Sequence, residues 1–210
     1  RRSSDLLSDL FAHPEMRVMM VVWPPLVVAF AAAGVLAGDA PWWLVAIALP
    51  YGLLAWSLIE YGMHRHVFHW QPTGRPWRWL VAPFGPPHVR HHANPASYRG
   101  AILIGQVPSL VVMGACFLLL LLAPVPRGFA CMAMASGSVG YVLFQSVHFA
   151  CHQMPMRRGY WAYIKRHHLI HHYRDETVNY GLTTPLWDWV FGTLYRPAGE
   201  PARRRARSGA

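Results

Sequence analysis

Four stretches of this chain run for twenty or more residues without a charge: Val18 to Gly38 (21 residues), Ala40 to Ile59 (20), Gly100 to Pro126 (27) and Gly128 to Val147 (20). A helix crossing the roughly 30 Å hydrocarbon core of a bilayer needs about 20 such residues. The runs are continuous rather than alternating, so they predict membrane-spanning helices and not barrel strands. Asp39 alone separates the first two runs and Arg127 alone the last two. Each pair must therefore turn back tightly, and the expected fold is all-α and integral to the membrane, with four transmembrane helices in two hairpins. Pro24, Pro25 and Pro108 would break helices in water but are tolerable in a span, where neighbouring helices satisfy the freed carbonyls.

A hydrophobic share of 54% with only 13% charged residues agrees with that reading. The excess of Lys+Arg, 19 against 9 Asp+Glu, would otherwise suggest nucleic acid. A nucleic-acid module would not carry four uncharged apolar runs, so no nucleic-acid partner is expected. With four spans, both termini share a side with the loop from Tyr61 to Arg99, and that side holds 18 of the 19 basic residues. The positive-inside rule places it in the cytoplasm. Eighteen arginines to one lysine suit a high-GC bacterial gene, hence a bacterial inner membrane. The polar first 17 residues have no apolar core of a secretory signal. Residues 1–196 are expected to form one membrane domain. Residues 197–210, with RRRAR, should be a disordered basic tail at the lipid headgroups. Trp70, Trp77, Trp79, Trp161, Trp187 and Trp189 fall in the cytoplasmic portions, where indoles anchor protein to the membrane boundary.

The three cysteines show no CxxC spacing, so neither a disulfide framework nor a thiolate zinc site is implied. Histidine carries the chemical signal instead. Eleven of the 13 histidines lie in four windows, 64–69, 88–92, 148–152 and 168–172, all at or beyond the cytoplasmic ends of the predicted spans. At about 100° per residue, His88, His91 and His92 share an arc of roughly 100° on one helix face, as do His168, His171 and His172. His148 and His152 stand one turn apart. His64 and His69, five residues apart, would diverge by roughly 140° on a straight helix, so that helix must bend or end between them. These ten imidazoles suffice for two metal ions with about five nitrogens each, and imidazole suits iron, zinc, copper and nickel alike. His66 and His167 are expected to stand outside the ligand set and His13 at the surface. Glu60, one turn before His64, is the best candidate to accept a ligand's second N–H, with Asp175, Glu176 and Asp188 as further candidates.

The residues EYGMHRHVFH (60–69), HVRHH (88–92), HFACH (148–152), and RHHLIHH followed by NYGLTTPLWDWVFGTLY up to Tyr195 resemble the fatty acid hydroxylase superfamily of integral membrane oxygenases, which includes sterol desaturases. The fatty acid 2-hydroxylase branch is the most similar. The resemblance implies four transmembrane helices under a cytosolic helical cap and a dinuclear centre of two iron ions, which zinc can replace in purified protein. His64, His69, His88, His91, His92, His148, His152, His168, His171 and His172 would hold the metals. It also implies hydroxylation of a lipid acyl chain by dioxygen, the chain entering through an apolar tunnel between the spans. No Gly-rich dinucleotide fingerprint accompanies the motifs and no fused haem domain is expected, so electrons should come from a separate protein. Sterol and carotenoid hydroxylases and desaturases share the same metal logic. From another class, a non-catalytic metal- or haem-binding membrane protein would also use histidine.

Overall fold

The computed structural model describes residues 13–95, 97 and 104–197. The N-terminal segment before His13 and the basic tail from Ala198 onward lie outside the described residues. Every regular element among the described residues is helical. In chain order they are α1 (Pro14–Leu36), α2 (Trp42–Met63), a π-helical turn (His64–Phe68), α3 (Arg75–Val81), α4 (Gly85–Ala93), α5 (Gln106–Leu122), α6 (Arg127–Gln153), α7 (Gly159–Tyr173) and α8 (Leu186–Phe191).

Among the described residues, three helices are long and apolar enough to cross a membrane: α1, α2 with its π-helical continuation to Phe68, and α6. The last two have 27 residues each, or about 40 Å at 1.5 Å per residue. That exceeds the roughly 30 Å hydrocarbon core, so both can lift histidines clear of the apolar layer. The third predicted run is narrower as a helix. α5 has 17 residues, about 26 Å, at the lower limit for a span. Pro108 falls in its first turn, where an amide has no helical acceptor to lose. Pro24 and Pro25 sit inside α1 without ending it.

α6 is the central pillar, packed against α1 and α2. Lipid is as apolar as leucine, so helices in a bilayer associate through close approach and small residues. The α6 sequence AMASGSVG (133–140) supplies them. A Cβ on Gly52 of α2 would overlap Ser136 and the Ala133 carbonyl, and one on Gly140 would lie 2.7 Å from Trp56 Cδ1. On the side of the membrane away from the histidines, Asp39 in the first hairpin loop accepts from the amides of Arg127 (2.7 Å) and Gly128 (2.9 Å). It thereby caps α6. Trp23 Nε1 donates to Gln106 Oε1 (2.8 Å), and Gln145 Nε2 donates to the Ile104 carbonyl (2.9 Å). These bonds hold the start of α5 between α1 and α6. His13, expected at the surface, is instead buried with its ring edge-on to Phe149 at 5.9 Å.

The candidate metal centre

The bend required between His64 and His69 is a π-helical turn. Hydrogen bonds from i to i+5 widen the helix so that five residues make roughly one turn. The two imidazoles stack with centroids 5.3 Å apart. Spacing that would scatter them on an α-helix places them on one face here.

The structure brings together all ten histidines singled out from spacing, in two groups of five. His64, His69, His88, His92 and His171 form one group and His91, His148, His152, His168 and His172 the other; within each, one nitrogen per residue lies within 4.8 Å of the rest. We call them the α2 group and the α6 group. Each takes an i, i+4 pair from one cap helix and a single histidine from the other. α4 gives His88 and His92 to the α2 group and His91 to the α6 group, while α7 gives His168 and His172 to the α6 group and His171 to the α2 group. Helix-face arithmetic grouped each trio together. The division within a trio follows from α4 and α7 facing each other across the site.

Metal-ligand geometry fits both groups. His64 Nε2 and His69 Nε2 each lie 3.2 Å from His88 Nε2, and His92 Nε2 lies 3.0 Å from it. In the α6 group, His91 Nε2 is 2.9 Å from His148 Nε2 and 3.1 Å from His152 Nε2, which is 2.9 Å from His168 Nε2. Two nitrogens bound to one ion at about 2.1 Å, at right angles, stand about 3 Å apart. The imidazoles are also in the protonation state a metal needs. Burial, reinforced by neighbouring rings, pushes His88 and His168 well below the ordinary imidazole range, His92 to about 4 and His171 to about 3. They stand neutral at physiological pH with a lone pair available.

The groups that steady these rings differ from the expected ones. His64 Nδ1 donates to the Tyr180 carbonyl (2.6 Å) and His171 Nδ1 to the Val178 carbonyl (2.7 Å). A carbonyl only accepts, so both protons sit on Nδ1 and both Nε2 lone pairs face the centre. Glu60 does not touch His64. It accepts from the amides of Leu182 (2.6 Å) and Thr183 (2.8 Å) and from Thr183 Oγ1 (2.7 Å), because its side chain points to the segment that carries Tyr180. Asp188 is fully buried and binds the amides of Tyr180 and Gly181, both at 2.8 Å. It also lies 3.1 Å from His167 Nε2. Asp175 reaches no histidine; it accepts from Thr177 N (2.9 Å) and Oγ1 (2.6 Å), closing its own turn. Glu176 is exposed, 3.9 Å from His92 Nδ1. His66 is exposed and His167 is buried beside Asp188, both outside the two groups. Spacing did not reveal the carbonyls of Val178 and Tyr180, which have no side-chain signature. The one available signal was Asn179, a residue type that tolerates the left-handed backbone it adopts here, with φ 57°.

Both groups open on one narrow, largely apolar cavity of about 20 Å³. Its walls include His64 and His88 of the α2 group, His148 and His168 of the α6 group, and Phe68 and Phe144. Phe68, Phe84, Ile104 and Phe144 also line a second cavity that extends down to Trp56. Trp56 in turn borders a groove of about 340 Å³ between α2, α5 and α6, reaching Tyr51 and Leu120.

Comparison with known proteins agrees with this architecture. Residues 49–193 match the family model described as fatty acid hydroxylase. The chain is 35% identical over 145 residues to the fatty acid 2-hydroxylase of Macaca fascicularis, covering 68% of this chain and 38% of that protein. It is 32% identical over 187 residues to the ceramide very long chain fatty acid hydroxylase SCS7 of Saccharomyces cerevisiae, covering 86% and 46%. The chain thus spans less than half the length of these two relatives. A solved structure titled full-length scs7p, with only the hydroxylase domain visible, superposes with a TM-score of 0.73 at 26% identity, over 89% of this chain and 69% of that one. A membrane-embedded helical bundle, four histidine motifs gathered at one end and the match over most of the chain lead to one conclusion: this protein belongs to the fatty acid hydroxylase family.

Proposed function

We propose that the protein hydroxylates an unactivated C–H bond of a lipid acyl chain, in the manner of a fatty acid 2-hydroxylase. One oxygen atom of dioxygen enters the product, and two electrons and two protons reduce the other to water. The observation that carries this reading is the apolar cavity walled by histidines of both groups and prolonged between the spans. A carbon placed there faces both groups at once, while the rest of the chain lies among apolar side chains.

The ten histidines of the two groups are the proposed ligands of two iron ions. Iron supplies the change of oxidation state that dioxygen reduction needs, which zinc lacks. The chain's own part is to hold the ligands, orient the acyl chain and exclude water. Phe68, Phe84, Phe144 and Leu182 exclude water from the reacting carbon. From Tyr51 to His64 along α2 is thirteen residues, about 20 Å; over that length the groove and the two narrow cavities mark an apolar path from the bilayer to the histidines, which side chains must widen to admit an acyl chain. We read residues 1–196 as one hydroxylase domain with 197–210 as a basic tail. We place the termini and the histidine-rich end on the cytoplasmic side of a bacterial inner membrane, where a separate protein delivers the electrons.

Lipid mass spectrometry of cells with and without the protein, grown under isotopically labelled dioxygen, tests the reading. A lipid heavier by one labelled oxygen is expected. A product lighter by two hydrogens would assign desaturation instead, and a Soret band in the purified protein would assign haem.

A further inference from the structure

Every backbone amide from Asn179 to Thr183 is held by a partner. Asn179 N donates to the Thr193 carbonyl (2.8 Å), Tyr180 and Gly181 to Asp188, and Leu182 and Thr183 to Glu60. The Asn179 side chain ties the same stretch on two further sides. Its Nδ2 donates to the His167 carbonyl (3.0 Å) and its Oδ1 accepts from Tyr195 N (2.7 Å). Two fully or almost fully buried carboxylates and a left-handed asparagine therefore fix a short strap, whose outward carbonyls at Val178 and Tyr180 receive His171 and His64.

Both of those histidines belong to the α2 group; among the described residues, no such carbonyl receives four of the five α6-group rings. The Nδ1 atoms of His91, His148, His168 and His172 are buried with no hydrogen-bond partner among the described residues. A neutral imidazole carries one N–H, and binding a metal through Nε2 puts that proton on Nδ1. In the α2 group the ligating tautomer of two rings is the one the strap already selects. In the α6 group it leaves four buried N–H groups without an acceptor, which is penalised.

We infer that the strap makes the two metal positions unequal: Asn179, Glu60, Asp188 and Thr183 are positioning residues for the α2 group, which holds its ion more tightly than the α6 group. The inference rests on the reading that the two groups hold metal ions, and it concerns retention rather than turnover.

The test uses the full chain in detergent, loaded with zinc, with metal release to a chelator followed by elemental analysis. Two ions per chain are expected, leaving in two separate phases. His152→Ala, which removes an α6-group nitrogen, should retain one ion that leaves at the slow rate. Asn179→Gly preserves the backbone conformation and removes both side-chain bonds. It should speed the slow phase by about 10- to 100-fold, as loss of ligand support does, and leave the fast phase unchanged. If Asn179→Gly does not fold, Thr183→Val, which deletes only the hydroxyl bond to Glu60, should speed the same phase by a smaller factor. A single release phase from the unaltered chain would overturn the inequality, as would a fast-leaving ion in His152→Ala. Acceleration of both phases alike, or of neither, would overturn the strap's role. Fewer than two ions in the unaltered chain would overturn the metal reading itself, and this inference with it.

Discussion

The membrane half and the histidine-rich half of this molecule share α2 and α6 but solve opposite packing problems. In the membrane half, few polar groups need partners, and helices close on one another where Gly52 meets Ser136 and Ala133 and where Gly140 meets Trp56. The most buried span is not the most apolar one. α6 is interior and rich in alanine, glycine and serine, whereas the leucine- and valine-rich faces of α1 and α5 remain exposed, as with Val21, Val35, Leu119 and Leu122. In the other half nearly every important group is polar and buried, and position is set by hydrogen bonds from backbone to Glu60 and Asp188. Burial follows residue size in lipid and hydrogen-bond satisfaction at the site.

The largest expected break in that contrast is His168→Ala, which should cost the α6 group its ion and abolish hydroxylation. His167→Ala, one residue away but turned toward Asp188, should keep both ions and part of the activity. Metal analysis and a product assay of the two variants decide, and the reverse pattern would show the ligand register to be wrong. Next comes Glu60→Gln. It should lower metal affinity or activity by about 10- to 100-fold through the strap, with helix content by circular dichroism unchanged; an unaltered rate and metal content would reduce Glu60 to a folding role. Gly52→Ala acts on the membrane half alone. It should lower stability by about 1–3 kcal/mol through overpacking, read as an earlier thermal transition in detergent, while the folded fraction keeps its metal content. The smallest effect belongs to Asp39→Ala. The Gly128 amide, first among its partners, holds the Asp39 carboxyl below the usual carboxylate range. The folded form therefore binds the proton less readily than the unfolded chain, so the cap's contribution is present at neutral pH and fades as pH falls through the carboxylate range. The variant should unfold slightly earlier at neutral pH and lose this part of the acid dependence. An acid response identical to that of the unaltered chain would remove Asp39 from the account.

Much of the fold was legible because uncharged runs of 20 residues admit few structures in a bilayer. The helical class, the hairpin at Asp39 and the placement of the histidines beyond the spans all follow from charge spacing alone. The ten histidines of the two groups were legible for a similar reason, since helical periodicity is local. The π-helical turn was half legible. The five-residue interval between His64 and His69 demanded a departure from the α-helix, but only the packed structure selected a wider turn over a break.

Periodicity along one helix says nothing about which neighbouring helix a side chain meets. The sequence by itself therefore determined a membrane bundle with ten histidines at one end. The tertiary structure alone decided how α4 and α7 share those histidines between two groups. It also decided that Glu60 accepts from the Leu182 and Thr183 amides while His64 meets the Tyr180 carbonyl, and that Asp175 closes its own turn. The physical reason is range: span length and helix face are set by residues a few positions apart. The partners of His64 and Glu60, by contrast, are backbone groups that the fold brings to them from 116 to 123 residues away.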